Sequence, residues 1–339
     1  MPSRRSPSRT TTERRPRGRR VKTPVARRKP SPGERLRVVI LSRKATLYST
    51  RRLVEAIRAF GHEALVLDTL RCHLMLEKGR PRVVYEGEEV TGVGVVIPRI
   101  GASITSYGLA VVNQFDMMGV PVLNNSIPIA RSRDKLRCLQ LLARFGVDIP
   151  RTVMMRDRSD LRNAIEQVGG LPAIVKLLRG TQGVGVMLAH SADELESMLD
   201  TMWTLEQELL LQEFIAESRG TDVRALVVGD RLVGAMRRRA TAQGEFRSNL
   251  HRGGEGEAVE LSQEYAVEAV RAARVVGLEV AGVDMLESAT GPKIAEINSS
   301  PGIEGIERST GVDVAGAIVA HAVEFARARA SGWSRPRQI

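Results

Sequence analysis

Four short apolar runs share the stretch from residue 36 to residue 124: LRVVILS at 36–42, ALVLD at 64–68, GVGVVIPR at 92–99 and VPVLN at 120–124. Between the first two lies TRRLVEAIRAF (50–60), in which Leu53, Ile57 and Phe60 recur at helical spacing and Gly61 stands ready to end the helix. A second helix is predicted at about 106–118, and RVVYEG followed by EEV reads as a small hairpin. Strands joined through helices do not pair by tight turns. They line up as a parallel sheet with the helices laid on its faces. Residues 35–125 are therefore expected to form a first α/β domain.

The pattern then changes. IPIARSRDKLRCLQLLARFG reads as a helical linker with an apolar face, within 126–147. Strand 151–155, helix 159–168, strands 173–178 and 184–189 and helix 191–202 predict a small α+β unit over 148–205. Strands 208–215, 222–229 and 231–239, helix 262–276 and strands 279–287 and 292–298 predict a second, mainly antiparallel unit over 206–330. A helix at 312–330 closes it, and 331–339 is a tail. The overall class is α/β followed by α+β.

Composition narrows the function classes. No window of 18 or more apolar residues is present, so no membrane span is expected. Cys72 and Cys138 are far apart and fit no metal or redox pattern, which suits a reducing cytoplasm and buried core positions. The five histidines show no zinc-ligand spacing. The net charge of +12 is uneven: residues 1–34 carry 12 Arg or Lys against 2 acidic residues, and the other 305 residues have a net charge of only +2. That arm of Arg, Ser, Thr and Pro has too few apolar groups to fold and is expected to be disordered. It lacks the apolar stretch of a secretory signal and the amphipathic helix of a transit peptide.

The chemistry concentrates in a few segments. In GVDMLESATGPKIAEINSSPG (282–302), ESATGP reads as a turn between two apolar strands. Glu296 and Asn298, two apart, project to one face with Ile297 on the other, and the hairpin brings Asp284 beside them. Two carboxylates and an amide oxygen on one surface suit a cation, and oxygen-only donors favour Mg²⁺ or Mn²⁺. The competing reading is an exposed polar strand face. Lys176 ends the buried strand AIVK, and the loop Gly180–Gly185 then leads into another strand, a lid whose amides can lie over phosphates. It is not a P-loop, because GxxxxGK[ST] and its helix are missing. LLLQEFI (209–215) carries Glu213 and Phe214 at the end of an apolar strand, and GTDVRALVVGD puts Asp222 and Arg224 on one strand face. EFRSNLHRGG (245–254) is dense in donors, with Arg247, Asn249, His251 and Arg252 following Arg237–Arg239, and reads as an anion-binding loop.

These segments together resemble the ATP-grasp carboxylate–amine ligases, most closely those of the RimK type, which add glutamate to the C-terminus of ribosomal small-subunit protein six. The resemblance runs from about 36 to 325 and rests on ILSRKATLYST, VIPRIG, IARSRDKLRCLQLLARFG, VKLLRGTQGVGV, LQEFI, FRSNLHRGG, AGVDML and EINSSPGIEGIE. It implies an ATP-grasp fold with a pre-ATP-grasp α/β domain, a small lid subdomain and a C-terminal antiparallel subdomain. It also implies that Lys135 and Lys176 bind ATP phosphates, Glu213 and Phe214 flank the adenine, and Asp222 holds the ribose. Arg247, Ser248 and Asn249 would line the nucleotide pocket, with Arg247 and Lys176 neutralising the transferring phosphoryl group. Asp284, Glu296 and Asn298 match the family's magnesium ligands, two ions being implied, with Mn²⁺ as a substitute. Glutamate and a protein acceptor are the implied partners, and the assembly is open to homo-oligomers. The alternatives are the same chemistry on a small molecule or carrier protein, poly-glutamate synthesis, or a non-catalytic nucleotide-binding regulator; intact metal ligands speak against the last. The arm has no counterpart in that resemblance. It is read as a cationic tether to RNA, as a dispensable extension, or as the product of a start codon assigned upstream of the true one.

Overall fold

The computed structural model describes residues 35–157, 159–178, 185–241 and 255–330. The basic arm, most of the glycine loop, the donor-rich loop with Arg247, Ser248, Asn249, His251 and Arg252, and the tail lie outside the described residues. Among the described residues, no helix is long and apolar enough to cross a membrane.

The first sheet is parallel, as the alternation of strands and helices demands. Strands β1 (Arg37–Leu41), β2 (Glu63–Leu67) and, after two short hairpin strands and one more, β6 (Val93–Pro98) stand in the order β2-β1-β6. Helix α1 (Tyr48–Ala59) buries Leu53, Ala56 and Ile57, and α2 (Thr105–Met117) buries Val111, Val112 and Phe115. VPVLN is not a full strand: only Val122 bridges, to Val96. The predicted hairpin is β4 (Arg82–Tyr85) with β5 (Glu88–Glu89), turned through Glu86 and Gly87 at positive φ. It gains an unforeseen strand, β3 (Cys72–Met75), whose buried Cys72 sits in the first domain's core. The predicted linker helix is two helices, α3 (Ser126–Arg133) and α4 (Lys135–Arg144). They break at Asp134, because its side chain accepts the Arg137 N–H and caps the second.

The small unit is a four-stranded antiparallel sheet in the order β7-β10-β8-β9, built from β7 (Thr152–Met154), β8 (Ala173–Leu177), β9 (Val186–Ala189) and β10 (Leu209–Glu213). Helices α5 (Leu161–Gln167) and α6 (Ala192–Thr204) cover one face, burying Ala164, Leu195 and Leu199 against Val175 and Leu211. The larger unit is a five-stranded antiparallel sheet: β11 (Thr221–Val228), β12 (Arg231–Arg239), β13 (Glu255–Ala258), β14 (Val280–Ser288) and β15 (Gly291–Asn298), in the order β13-β12-β11-β14-β15. Helix α7 (Gln263–Val276) packs its alanines on one face.

The predicted last helix starts later, at Val314 (α9, Val314–Ala330). A separate short helix, α8 (Glu304–Thr310), precedes it and ends at Gly311 in the left-handed conformation. Helix α9 joins the two halves of the molecule. Its Ile318, Val319 and Ala322 share one core with Val38, Ile40 and Leu53 of the first domain and with Leu226 and Met236 of the five-stranded sheet. Buried Asn124 adds a polar stitch: its amide nitrogen donates to the carbonyls of Val280 (2.8 Å) and Ser299 (3.1 Å), and its oxygen accepts from the N–H groups of Glu279 and Val280. The open end of the β14–β15 pair is thus anchored to the first domain.

Candidate active site

A cavity of about 890 Å³ opens between the four-stranded and five-stranded sheets and the edge of the first domain. Lys135, Lys176, Glu213, Phe214, Asp222, Asp284, Glu296 and Asn298 all line it. Eight of the sequence-predicted residues are therefore brought to one place from six elements and a loop.

The acidic wall follows from register. On the β14–β15 hairpin, Asp284 lies opposite Glu296 and Gly282 opposite Asn298. A bulge after Asp284 shifts the pairing there, and Ile297 is buried on the far face. Asn298 Nδ2 lies 3.5 Å from Asp284 Oδ2. The expected face exists, but its charge is handled by Arg224 and Arg238, which the sequence reading named without pairing them to it. Asp284, only 5% exposed, accepts Arg224 Nε at 2.7 Å and Arg224 Nη2 at 2.6 Å, and pairs with Arg238 Nη2 at 3.1 Å. Arg238, 3% exposed, also donates to both oxygens of Asp222. Burial alone would raise the Asp284 carboxyl, but the two guanidiniums outweigh it and hold the group below the usual range. The alternation of strand faces was the available signal: of the three consecutive arginines, Arg237 turns to Glu287 and Arg239 to Glu257, and only Arg238 enters the cavity.

Among the described residues no three His, Cys, Asp or Glu side chains form a metal-binding group. What Asp284, Glu296 and Asn298 offer is two carboxylates and one amide oxygen, all hard oxygen donors. That set fits Mg²⁺, which is commonly held by one or two carboxylates and completed by substrate phosphates and water.

The basic wall comes from the small sheet. Lys176 sits on β8 between Leu210 of β10 and Val186 of β9. The loop ends are tied by Leu177 N–H donating to Gly185 O at 2.8 Å. Lys135, the first residue of α4, donates to Leu177 O at 2.8 Å, which brings the two lysines together. Burial, with the charge of Lys135 added, pushes the Lys176 ammonium down to about 8, against the opposing pull of Glu296 and Asp284. Two expected nucleotide contacts are partly committed elsewhere. The Glu213 carboxylate accepts the Arg151 N–H (3.0 Å) and Arg151 Nη2 (2.9 Å), so its main chain is the part left to meet a base. Asp222 already serves Arg238 with both oxygens, so a ribose hydroxyl would share them, using the remaining lone pairs.

Residues 36–129 match the RimK PreATP-grasp domain and residues 132–322 the RimK-like ATP-grasp domain. A probable alpha-L-glutamate ligase of Thioalkalivibrio sulfidiphilus is 53% identical over 86% of this chain and 97% of its own. One from Pseudomonas aeruginosa (strain UCBPP-PA14) is 51% identical over 84% and 94%. Among solved structures, the ATP-grasp ligase PsnB complexed with minimal precursor superposes with a TM-score of 0.68 at 25% identity, over 86% of this chain and 99% of its own. A RimK domain ATP-grasp protein from Sphaerobacter thermophilus has the same fold, with a TM-score of 0.62 at 24% identity, over 85% and 99%. Two family domains that together span nearly all the described residues, on relatives matched end to end, make the chain a member of the RimK-like ATP-grasp family and an ATP-dependent carboxylate–amine ligase.

Proposed function

We propose that this protein joins the amino group of glutamate to a C-terminal carboxylate, and that the acceptor is ribosomal small-subunit protein six. The observation that carries the reading is one cavity walled by two lysines on one side and the Asp284, Glu296 and Asn298 oxygens on the other. Relatives at about half identity named as probable alpha-L-glutamate ligases support the donor, and PsnB, solved with a precursor, Mg and ADP, supports a peptide acceptor. The domain limits proposed from the sequence are retained except that β10 (Leu209–Glu213), expected in the second unit, belongs to the small sheet between β7 and β8, and a cytoplasmic location follows from a ribosomal acceptor.

In this reading the acceptor carboxylate attacks the γ-phosphoryl group of ATP, releasing ADP and leaving an acyl phosphate. The amine of glutamate then forms the new C–N bond as the C–O bond to phosphate breaks, with loss of a proton. Phosphoryl transfer needs alignment and charge neutralisation rather than a protein nucleophile. Lys135 and Lys176 bind the phosphates, Phe214 and the Glu213 main chain flank the adenine, and Asp222 meets the ribose. Asp284, Glu296 and Asn298 would hold Mg²⁺, which when bound neutralises phosphate charge. Arg224 and Arg238 keep Asp284 ionised, and so able to serve as a ligand, in a buried setting. The expected roles of Arg247, Ser248 and Asn249 lie outside the described residues.

Incubation with ATP, Mg²⁺, glutamate and candidate acceptors, read by intact mass, is expected to show glutamyl additions on the ribosomal protein. ATP consumption without such additions, or a preference for another amino acid, overturns the reading.

Lys176 supplies a pH test. A lysine that loses its proton near 8 holds phosphate below that pH and releases its charge above it. Nucleotide affinity of the apo protein is expected to fall as pH rises through about 8. Lys176→Ala should bind nucleotide more weakly at low pH and show no such step, checked by calorimetry across the range. Stability moves the other way. The unfolded lysine keeps its proton up to 10.5, so the cost of burying the charged form is present below about 8 and fades as pH rises between the two values.

A further inference from the structure

We infer that Arg99 and Arg133 form the carboxylate-binding subsite for the amino-acid substrate, at the seam between the first domain and the β14–β15 hairpin; the inference rests on the glutamate-donor reading above.

Three distant segments meet at this end of the cavity. Arg99 directly follows β6, Arg133 is the last residue of α3, and Ser300–Pro301 follow β15. Arg99 Nη2 donates to Pro301 O at 2.5 Å and Arg133 Nη2 to Ile100 O at 2.5 Å. Each guanidinium thus gives one N–H to a main-chain carbonyl and keeps the rest of its five donors. Arg133 Nε is buried with no partner, and so is Ser300 Oγ. Elsewhere around the cavity, the inward-facing arginines have carboxylates: Arg224 and Arg238 pair with Asp284. Arg99 and Arg133 form no ion pair among the described residues, and the charge of Arg133 bears on Arg99. Burial, with the charge of Arg133 added, pushes Arg99 down to about 10, and burial lowers Arg133 against the opposing pull of Glu296.

Two half-buried guanidiniums facing a cavity with no carboxylate paired to them, Glu296 acting on Arg133 only from a distance, are a costly arrangement, and a planar carboxylate is the anion their forked donors match. The identity of the anion follows from charge through the reaction. The acceptor's carboxylate is consumed, becoming an acyl phosphate and then a neutral amide. Glutamate reacts through nitrogen and keeps both its carboxylates to the end. A permanent pair of positive charges therefore suits the donor, which brings two carboxylates to two arginines. The nucleotide's phosphates face the lysine wall instead. The arginines take no part in bond making; they position the donor so that its amine reaches the acyl phosphate.

The test is calorimetric binding of L-glutamate to the full-length protein saturated with Mg²⁺ and a non-hydrolysable ATP analogue. Arg99→Gln and Arg133→Gln are each expected to weaken glutamate binding about 10- to 100-fold, the loss of a charge-assisted contact, with nucleotide affinity unchanged. Glutarate, which lacks the amine, should compete, and glutamine should compete far less. Unligated melting curves check the fold. Where a Gln variant melts early, the corresponding Lys variant, which keeps the charge and loses the fork, is expected to show a smaller glutamate loss. Glutamate affinity unchanged in both folded variants overturns the inference, as does an equal loss of nucleotide affinity, which would make the pair a phosphate clamp. A wild-type protein that binds nucleotide but neither glutamate nor glutarate overturns the glutamate-donor reading itself, before any variant is made.

Discussion

Glu296→Gln is expected to lower ligation by several kcal/mol of activation free energy, roughly a hundredfold or more, while the melting temperature stays that of the parent. Glu296 is exposed at the cavity wall and forms no ion pair among the described residues, so removing its charge breaks no direct contact and only weakens the distant pull that offsets the burial of Lys176. Asp284→Asn is the contrasting case. It should abolish ligation too, but it also removes the carboxylate that Arg224 grips with two hydrogen bonds and that Arg238 approaches at 3.1 Å. Breaking a buried pair from one side costs about 3–5 kcal/mol, so this variant should lose stability as well as activity. Turnover at ordinary Mg²⁺ and urea denaturation separate the two effects. Near-parental turnover in Glu296→Gln would end the metal assignment, whatever Asp284→Asn does.

Arg238→Met should destabilise the fold by about 3–5 kcal/mol, the range for uncovering a buried charge. Asp284 keeps Arg224, but Asp222 has no other ion pair among the described residues. Asp222 already lies above the usual carboxylate range, because burial outweighs the pull of Arg238. Without Arg238 it should take up a proton on folding well above its ordinary pKa. A raised folded pKa means the folded state binds more protons than the unfolded one, so the variant's stability should fall as pH rises from about 5 toward neutrality. The parent should change much less. Urea denaturation at several pH values is the measurement, and a loss below about 1 kcal/mol with no pH trend would show that the carboxylates do not depend on Arg238. Arg238→Lys should recover only part of the loss, since an ammonium cannot serve two carboxylates through one fork.

The sequence by itself carried the parallel first sheet, because strands separated by helices admit little else. It also carried the β14–β15 hairpin, because ESATGP breaks two apolar runs and the period of two puts Glu296 and Asn298 on one side. Local rules of this kind depend only on neighbours in the chain. Errors fell where tertiary contacts override local pattern. VPVLN is apolar enough for a strand but makes only the Val122 bridge. Two smaller misses are local: the Asp134 cap cuts the linker helix, and the last helix starts two residues late, behind a separate α8 that ends at Gly311. The charge balance of the site, like VPVLN, was hidden by tertiary contacts. Arg224 is 60 residues from Asp284 and Arg238 is 16 from Asp222, and only the pairing β12-β11-β14 places them together. The seam where Arg99 meets Pro301 spans 202 residues. Nothing in the sequence period announces such a contact, because it exists only once α9 and Asn124 have docked the first domain onto the sheet that carries the acidic wall.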